Sequence, residues 1–303
     1  MNRSVAGLRV LVTGASGKIG SETVARLTGA GAYVTALSNT RNETLAADRI
    51  LIGDTRSERD VEDAMDGVDL VVHLAAMPHR DAGTPYEVYS TNVVSTFNVL
   101  AKAGARGIRR AVVAGSINRY GLPLNVHPDL IPAYFPIGTD IPVDVGDWYS
   151  LSKLNDENSS KMAWRYWGID IVTLRFPNVG TVATLTDRSE KMTADPRSGL
   201  SEAWSYLDVR DAARAIELGL TAKTHGAQAF FLAANRTLMP YRTEELLDTY
   251  APGTPRLRPF VEREVPMDLT PARDLIGFEA KYELEIETLE LPTVNAVLQT
   301  SQA

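Results

Sequence analysis

The stretch GLRVLVTGASGKIGSETVARL, residues 7 to 27, decides the fold. A β-branched apolar run, Leu8–Thr13, ends at Gly14. Gly17 and Gly20 follow at three-residue spacing, and a helical pattern opens over Gly20–Ala30. Strand, glycine turn and helix in that order are what a dinucleotide pyrophosphate requires: Gly14 permits the tight turn, Gly17 lets backbone approach phosphate, and Gly20 lets helix pack closely on strand. The helix N-terminus adds N–H donors and the positive end of its dipole.

Outward from this turn, short apolar runs alternate with stretches of helical period, the pattern of βαβ units in a parallel sheet covered on both faces. Further strands are expected at Tyr33–Leu37, Arg49–Ile52, Leu70–His73, Arg110–Ala114 and Asp170–Arg175, and helices at Ser57–Met65, Pro85–Ala105 and Trp148–Tyr166. Later, YLDVRDAARAIELGL (206–220) reads as strand into helix, with Arg210 and Asp211 beginning and capping it, and AQAFFLAA (227–234) reads as another strand. Residues 122–147 hold five prolines and match no element; loops of that length are usually functional. The fold class expected is a Rossmann-type doubly wound parallel α/β sheet with a small C-terminal substrate-binding lobe. Residues 1–177 with 206–235 would form the dinucleotide-binding domain, and 178–205 with 236–303 the lobe.

Composition narrows the function. A net charge of −7 argues against a nucleic-acid or anionic-membrane binder. The chain has no cysteine, which excludes disulfides and thiolate chemistry. Its four histidines, His73, His79, His127 and His225, lack metal-ligand spacing, so no metal is expected. No apolar stretch is long enough to span a bilayer, and a cytoplasmic location is the expectation.

Seven segments, in order, resemble the extended branch of the short-chain dehydrogenase/reductase superfamily, which includes nucleotide-sugar epimerases and dehydratases. They are TGASGKIG (13–20), VHLAA (72–76), TNVVSTFNVL (91–100), GSINRYG (115–121), YSLSK (149–153), LRFPNVG (174–180) and DVRDAARA (208–215), with TPARDLIGF (270–278) resembling the closing helix. The resemblance covers nearly the whole chain. It implies a catalytic set of Ser116, Tyr149 and Lys153. Tyr149 and Lys153, four apart, share one helix face. A neighbouring ammonium and a positive nicotinamide favour a phenolate, and Ser116 would hydrogen-bond the substrate oxygen.

The resemblance also implies cofactor contacts from Gly14, Ser16, Gly17, Lys18, Ile19 and Gly20, from Asp54 after the third strand, from Leu74, Ala75 and Ala76, and from Asn92, Tyr149, Lys153 and Pro177. NAD-specific relatives end the second strand with an acidic residue that binds ribose hydroxyls. Here VTALSNTRN (34–42) offers Ser38, Asn39 and Arg41 instead. These can hold a 2′-phosphate, so NADP is expected, with NAD the alternative.

Substrate contacts are expected from Met77, His79, Asn118, Arg119 and Asn178, with His127 and Trp204 as weaker candidates. Ile117 and Asn118 after Ser116 depart from the acidic pair of 4,6-dehydratases, from the small residues of C4 epimerases and from the asparagine that directly follows the serine in uronate dehydrogenases. The expectation is an alcohol/carbonyl oxidoreductase acting on a sugar or similar polyhydroxylated small molecule. The alternatives are an epimerase that retains its cofactor and, least favoured because Tyr149 and Lys153 are both present, a non-catalytic NADP-sensing binder. Arg256, Arg258 and Arg263 either grip a diphosphate or form a solvated strip balancing Glu262 and Glu264, and the second is expected. Val93, Val94, Phe97 and Leu100 fit either a homodimer face or the sheet.

Overall fold

The computed structural model describes residues 4–124 and 131–292. Seven strands, β1 (Arg9–Thr13), β2 (Tyr33–Ser38), β3 (Arg49–Ile52), β4 (Leu70–His73), β5 (Arg110–Ser116), β6 (Asp170–Phe176) and β9 (Ala227–Phe231), form one sheet in the order β3-β2-β1-β4-β5-β6-β9. Every neighbouring pair is parallel. A two-stranded parallel pair, β7 (Asn178–Gly180) with β8 (Tyr206–Asp208), stands apart.

The alternation of strand side chains sends residues to two cores. Val10, Val12, Val72, Val112 and Val172 pack beneath α1 (Lys18–Gly29) and α6 (Val209–Thr221). Leu11, Val71, Ala111, Val113 and Ile171 pack beneath α2 (Glu58–Ala64), α3 (Pro85–Ala105) and α4 (Trp148–Trp167). β3 departs from the expected two-sided cover: it is the edge strand, and Ile50 and Ile52 are exposed. The sheet changes winding direction between β1 and β4, which opens a crevice at their carboxyl ends, the place where open α/β sheets bind ligands.

A third core is the lobe's. It gathers Leu185 and Met192 of α5 (Val182–Ala194), Trp204, Leu246 and Leu247 of α7 (Thr243–Tyr250), and Phe260 and Met267. The expected domain division is less clean than the sequence pattern suggested. Phe135 and Ile137, from the proline-rich stretch, join the lobe, with their N–H groups donating to Pro255 O and Pro266 O. Ala272 and Ile276 of α8 (Thr270–Ile276), with Phe278, return to the sheet core instead.

Asp208, not Asp211, caps α6, accepting from Arg210 N at 2.9 Å. Asp211 lies in the first turn, fully buried, and one of its oxygens takes the N–H groups of Lys281 and Tyr282, both at 2.8 Å, while the other pairs with Arg214. It thus staples residues 281 and 282 to α6. Asp211→Ala is expected to lower stability by about 3 kcal/mol, because it leaves two amide donors without their acceptor and removes the carboxylate partner of the half-buried Arg214. It should also make residues after Gly277 protease-sensitive at pH 7. Urea unfolding and limited proteolysis would check this, and wild-type resistance would refute the staple.

Candidate active site

The glycine turn is shaped by contact. Gly14 has φ +66°, and a Cβ there would stand 2.7 Å from Ala75 N, so the turn after β1 lies directly on the chain leaving β4. Gly17 caps α1 without a side-chain hydrogen bond, and the first turn carries no acidic residue. The leading N–H groups therefore face the cleft with their dipole uncompensated, as a pyrophosphate needs. Ser38, at the end of β2, accepts from Ser16 N at 2.8 Å, and Ser16 Oγ donates to Thr40 O at 3.0 Å, so the turn is held from the side as well. Lys18 Nζ reaches across the cleft to the Val179 carbonyl at 3.0 Å.

A single cleft of about 790 Å³ is lined by Gly14, Ser16, Gly17, Lys18, Ile19 and Gly20, by Ser38, Asn39 and Asp54, by Leu74, Ala75 and Ala76, and by Pro177. Ser116, Tyr149 and Lys153 line the same space, as do Met77, His79, Asn118 and Asn178. Its size suits a small-molecule site. Asp54 is gripped by Arg56, whose side chain donates to it at 2.6 Å and holds its carboxyl below the usual range.

Three expected residues lie elsewhere. Asn92 is fully buried beneath the cleft wall, accepting from Met77 N and donating to Met77 O and Ser152 Oγ. It fixes backbone and does not face the cofactor space. Arg41, 70% exposed, pairs with Glu43 at the surface. Arg119 is drawn inward by Glu157 at 3.4 Å, beside Arg175, which bonds the same carboxylate at 2.8 Å. Burial and the neighbouring Arg175 charge lower its pKa, with Glu157 opposing them, and Arg119 does not line the cleft. Of the weaker candidates, Trp204 is buried in the lobe with its ring N–H on Pro196 O, and His127 lies outside the described residues. Arg263 is no solvated residue: it is buried and donates to the Thr237 and Met239 carbonyls.

The expected catalytic residues come from β5 and α4. Asp147 caps α4, accepting from Tyr149 N at 2.9 Å and Ser150 N at 3.0 Å, which sets Tyr149 in the first turn facing β5. Lys153 follows one turn later. Its ammonium donates to Ala114 O at 3.0 Å and to Asp156 Oδ2 at 3.1 Å, 6.0 Å from the Tyr149 ring centre. Burial opposes that charge, but Asp156 and Tyr149 outweigh it and hold the Lys153 pKa above the ordinary lysine value. Ser116 Oγ accepts from both Asn118 N (3.1 Å) and Asn118 Nδ2 (3.2 Å), so Asn118 does not take the Ser116 hydroxyl proton. Asn118 therefore orients Ser116 as well as lining the space.

Sequence reasoning missed Arg188 of α5 and Glu202, an ion pair on the lobe side of the cleft. Both lie in residues 178–205, assigned to the lobe with no strand or helix expected there. Burial raises the Glu202 pKa, and Arg188 counters it. It also missed Asp156. The available signal was its place on α4, three residues after Lys153, on a helix face otherwise rich in buried serines. Among the described residues no group of three or more His, Asp or Glu side chains could hold a metal ion, and no helix is long and apolar enough to cross a membrane.

The sequence model of the NAD dependent epimerase/dehydratase family matches residues 10–231. The chain belongs to that family. It is an NAD(P)-dependent enzyme of the extended short-chain dehydrogenase/reductase type. It is 31% identical over 188 residues to L-arabinose 1-dehydrogenase (NAD(P)(+)) of Haloferax volcanii, a match covering 61% of this chain and 71% of that one. It is 30% identical over 183 residues to UDP-glucose 4-epimerase of Corynebacterium glutamicum, covering 57% of this chain and about half (51%) of the relative's length. A short-chain dehydrogenase/reductase superfamily protein from Agrobacterium tumefaciens with bound NAD shares the fold at TM-score 0.69 and 22% identity, covering 97% and 95% of the two chains. UDP-glucose 4-epimerase of Thermotoga maritima with UDP-glucose does so at TM-score 0.68 and 21% identity, covering 91% and 94%.

Behind the cleft, His73 is buried between Thr13 Oγ1 (2.8 Å) and Thr96 Oγ1 (3.1 Å). Burial first, and Lys153 second, push its pKa down to about 3 from 6.5. The folded ring is therefore neutral, and acid favours the unfolded chain, whose histidine still binds a proton near pH 6.5. The stability tied to the neutral ring is complete above that pH and is lost as pH falls from 6.5 toward about 3. Between pH 7 and pH 5 this single group is expected to remove about 2 kcal/mol, and His73→Asn should flatten that slope while lowering stability at pH 7. Urea unfolding at both pH values would decide it, and an unchanged slope would count against the neutral buried ring.

Proposed function

We propose that the protein oxidises an alcohol carbon of a free, uncharged sugar, reversibly, with NADP preferred over NAD. The single observation that carries this is one cleft shared by a dinucleotide cradle and by Ser116, Tyr149 and Lys153. The cradle fits a dinucleotide: side-chain bulk is barred at Gly14 by Ala75 N, and the α1 N-terminus is open to the same space. Gly14 to Gly20 would hold the pyrophosphate, Ser38 and Asn39 the adenosine ribose, Asp54 the adenine side, and Lys153 the nicotinamide ribose. A nicotinamide bound there supplies hydride acceptance and return. Ser116 donates a hydrogen bond to the substrate oxygen, and Tyr149 takes the hydroxyl proton as the carbonyl forms, or returns it in the reverse direction. Lys153 holds positive charge near that phenol.

The uncharged substrate is supported by how the lobe's arginines are used. Arg256 is paired with Glu244 and Asp248, Arg258 with Glu264, and Arg263 with backbone, so none of the three is offered to a diphosphate. In the cleft, Glu202 already neutralises Arg188, and the pair presents donors and acceptors suited to hydroxyls. The likeness to L-arabinose 1-dehydrogenase agrees with an aldose. A cofactor-retaining epimerase is the second reading, favoured by the likeness to UDP-glucose 4-epimerases. The absence of a carboxylate at Ser38, Asn39 and Thr40, which line the cleft at the end of β2, supports NADP. A homodimer through α3 and α4 is supported by the exposed Val94, Phe97 and Leu151, whereas Leu100 belongs to the sheet core.

A panel of aldoses, uronates and UDP-sugars assayed with NADP and NAD for reduced nicotinamide tests this reading. Turnover of UDP-sugars without net reduction would replace it by the epimerase. Tyr149→Phe is expected to lower kcat at least ~1,000-fold with dinucleotide binding within a few-fold of wild type, a loss at the level of removing the acid–base group. Near-normal turnover would remove Tyr149 from the chemistry. Ser38→Asp should shift the NADP/NAD ratio of kcat/KM toward NAD by roughly 100-fold, through repulsion of the 2′-phosphate. An unchanged ratio would refute the preference assigned to this position.

A further inference from the structure

Lys153 answers to a second buried group besides Tyr149. Asp156 lies one turn further along the same face of α4, 1% exposed, with Oδ2 at 3.1 Å from the Lys153 ammonium. Burial pushes its pKa up and Glu157 adds to this, while Lys153 and the nearby Thr96 hydroxyl favour its charged form. Its other oxygen, Oδ1, makes no hydrogen bond. Burying a carboxylate there is costly unless it is paired, and an apolar side chain would fill the same space without that cost. What the carboxylate contributes, then, is its effect on the lysine.

The groups around the pair leave that effect uncomplicated. From β4, His73 is neutral and committed to Thr13 and Thr96. From β5, the Ala114 carbonyl accepts from the ammonium. On α4, Glu157 is committed to Arg175 and Arg119, Asp147 to the helix N-terminus, and Tyr149 faces Lys153 from the cleft side. Asp156 is therefore the anion that Lys153 meets directly. We propose that Asp156 is a positioning residue that draws the Lys153 ammonium toward β5 and offsets its charge, and so decides how much of that charge assists ionisation of the Tyr149 phenol. The proposal rests on Tyr149 serving as the acid–base group.

Removing the negative charge leaves the lysine's field on the phenol unopposed, which favours phenolate at lower pH. The test is a pH titration of phenolate ultraviolet absorbance on the full chain with saturating NAD, taken as the difference between each protein and its Tyr149→Phe counterpart. This isolates one phenol without needing the substrate. Asp156→Asn is expected to move the Tyr149 phase to lower pH by about one unit, a tenfold gain in phenolate at any pH below both midpoints. Thr96→Val, which keeps both charges but withdraws a hydroxyl that favours charged Asp156, should shift it the same way by less and serves if the asparagine variant does not fold. Asp156→Glu, which restores the carboxylate, should return the phase toward wild type. An unmoved or upward-shifted phase in the asparagine and valine variants, or a glutamate variant displaced as far as asparagine, overturns the proposal and leaves Tyr149 as the acid–base group. A wild-type protein with no separate Tyr149 phase removes both.

Discussion

The close approach of the turn after β1 to the chain leaving β4 is the constraint on which the site depends. With no side chain at Gly14, the two backbones meet where the sheet changes winding direction, and the open N-terminus of α1 is thereby aimed into the crevice. Ser38 at the end of β2 and Lys18 reaching Val179 brace that turn from two further directions. The shape of the turn is thus a consequence of backbone packing.

On the other side of the crevice lie charges taken out of water. Lys153, Asp156 and Glu157 are all buried on one face of α4, and each finds its partner within hydrogen-bond reach: Ala114 O and Asp156 for the lysine, Arg175 for Glu157. In a low-dielectric interior such pairs act strongly on their neighbours. Asn92 and His73 complete the arrangement by fixing the backbone of Met77 and the hydroxyls of Thr13 and Thr96 without adding charge. The result is a cleft wall that is tied by hydrogen bonds behind β4 and polar at Ser116.

The lobe meets this wall with α5 and the segment ending at Glu202. Arg256, Arg258 and Arg263 are consumed within the lobe, by Glu244, Asp248 and Glu264 or by carbonyl groups, and the lobe's ion pair at the cleft, Arg188 with Glu202, is internally neutral.

Local pattern was enough for the elements that repeat a simple rule. The glycine spacing at 14, 17 and 20 and the apolar runs of β1, β4, β5 and β6 follow from backbone sterics and burial, and the Tyr149/Lys153 spacing follows from helix period, so the first six strands of the sheet, the glycine turn and the shared helix face of Tyr149 and Lys153 were legible in residues 7–177. The edge exposure of Ile50 and Ile52, the return of Phe278 to the sheet core and the docking of Phe135 and Ile137 on the lobe were not, because they depend on which distant surface each apolar side chain meets. The same holds for the polar residues. Whether Arg119, Arg41 and Asn92 turn into the cleft, away from it or beneath it is decided by Glu157, Glu43 and Met77. Spacing along the chain determines which residues can share a face, whereas only the packed fold determines which charge a buried group must answer.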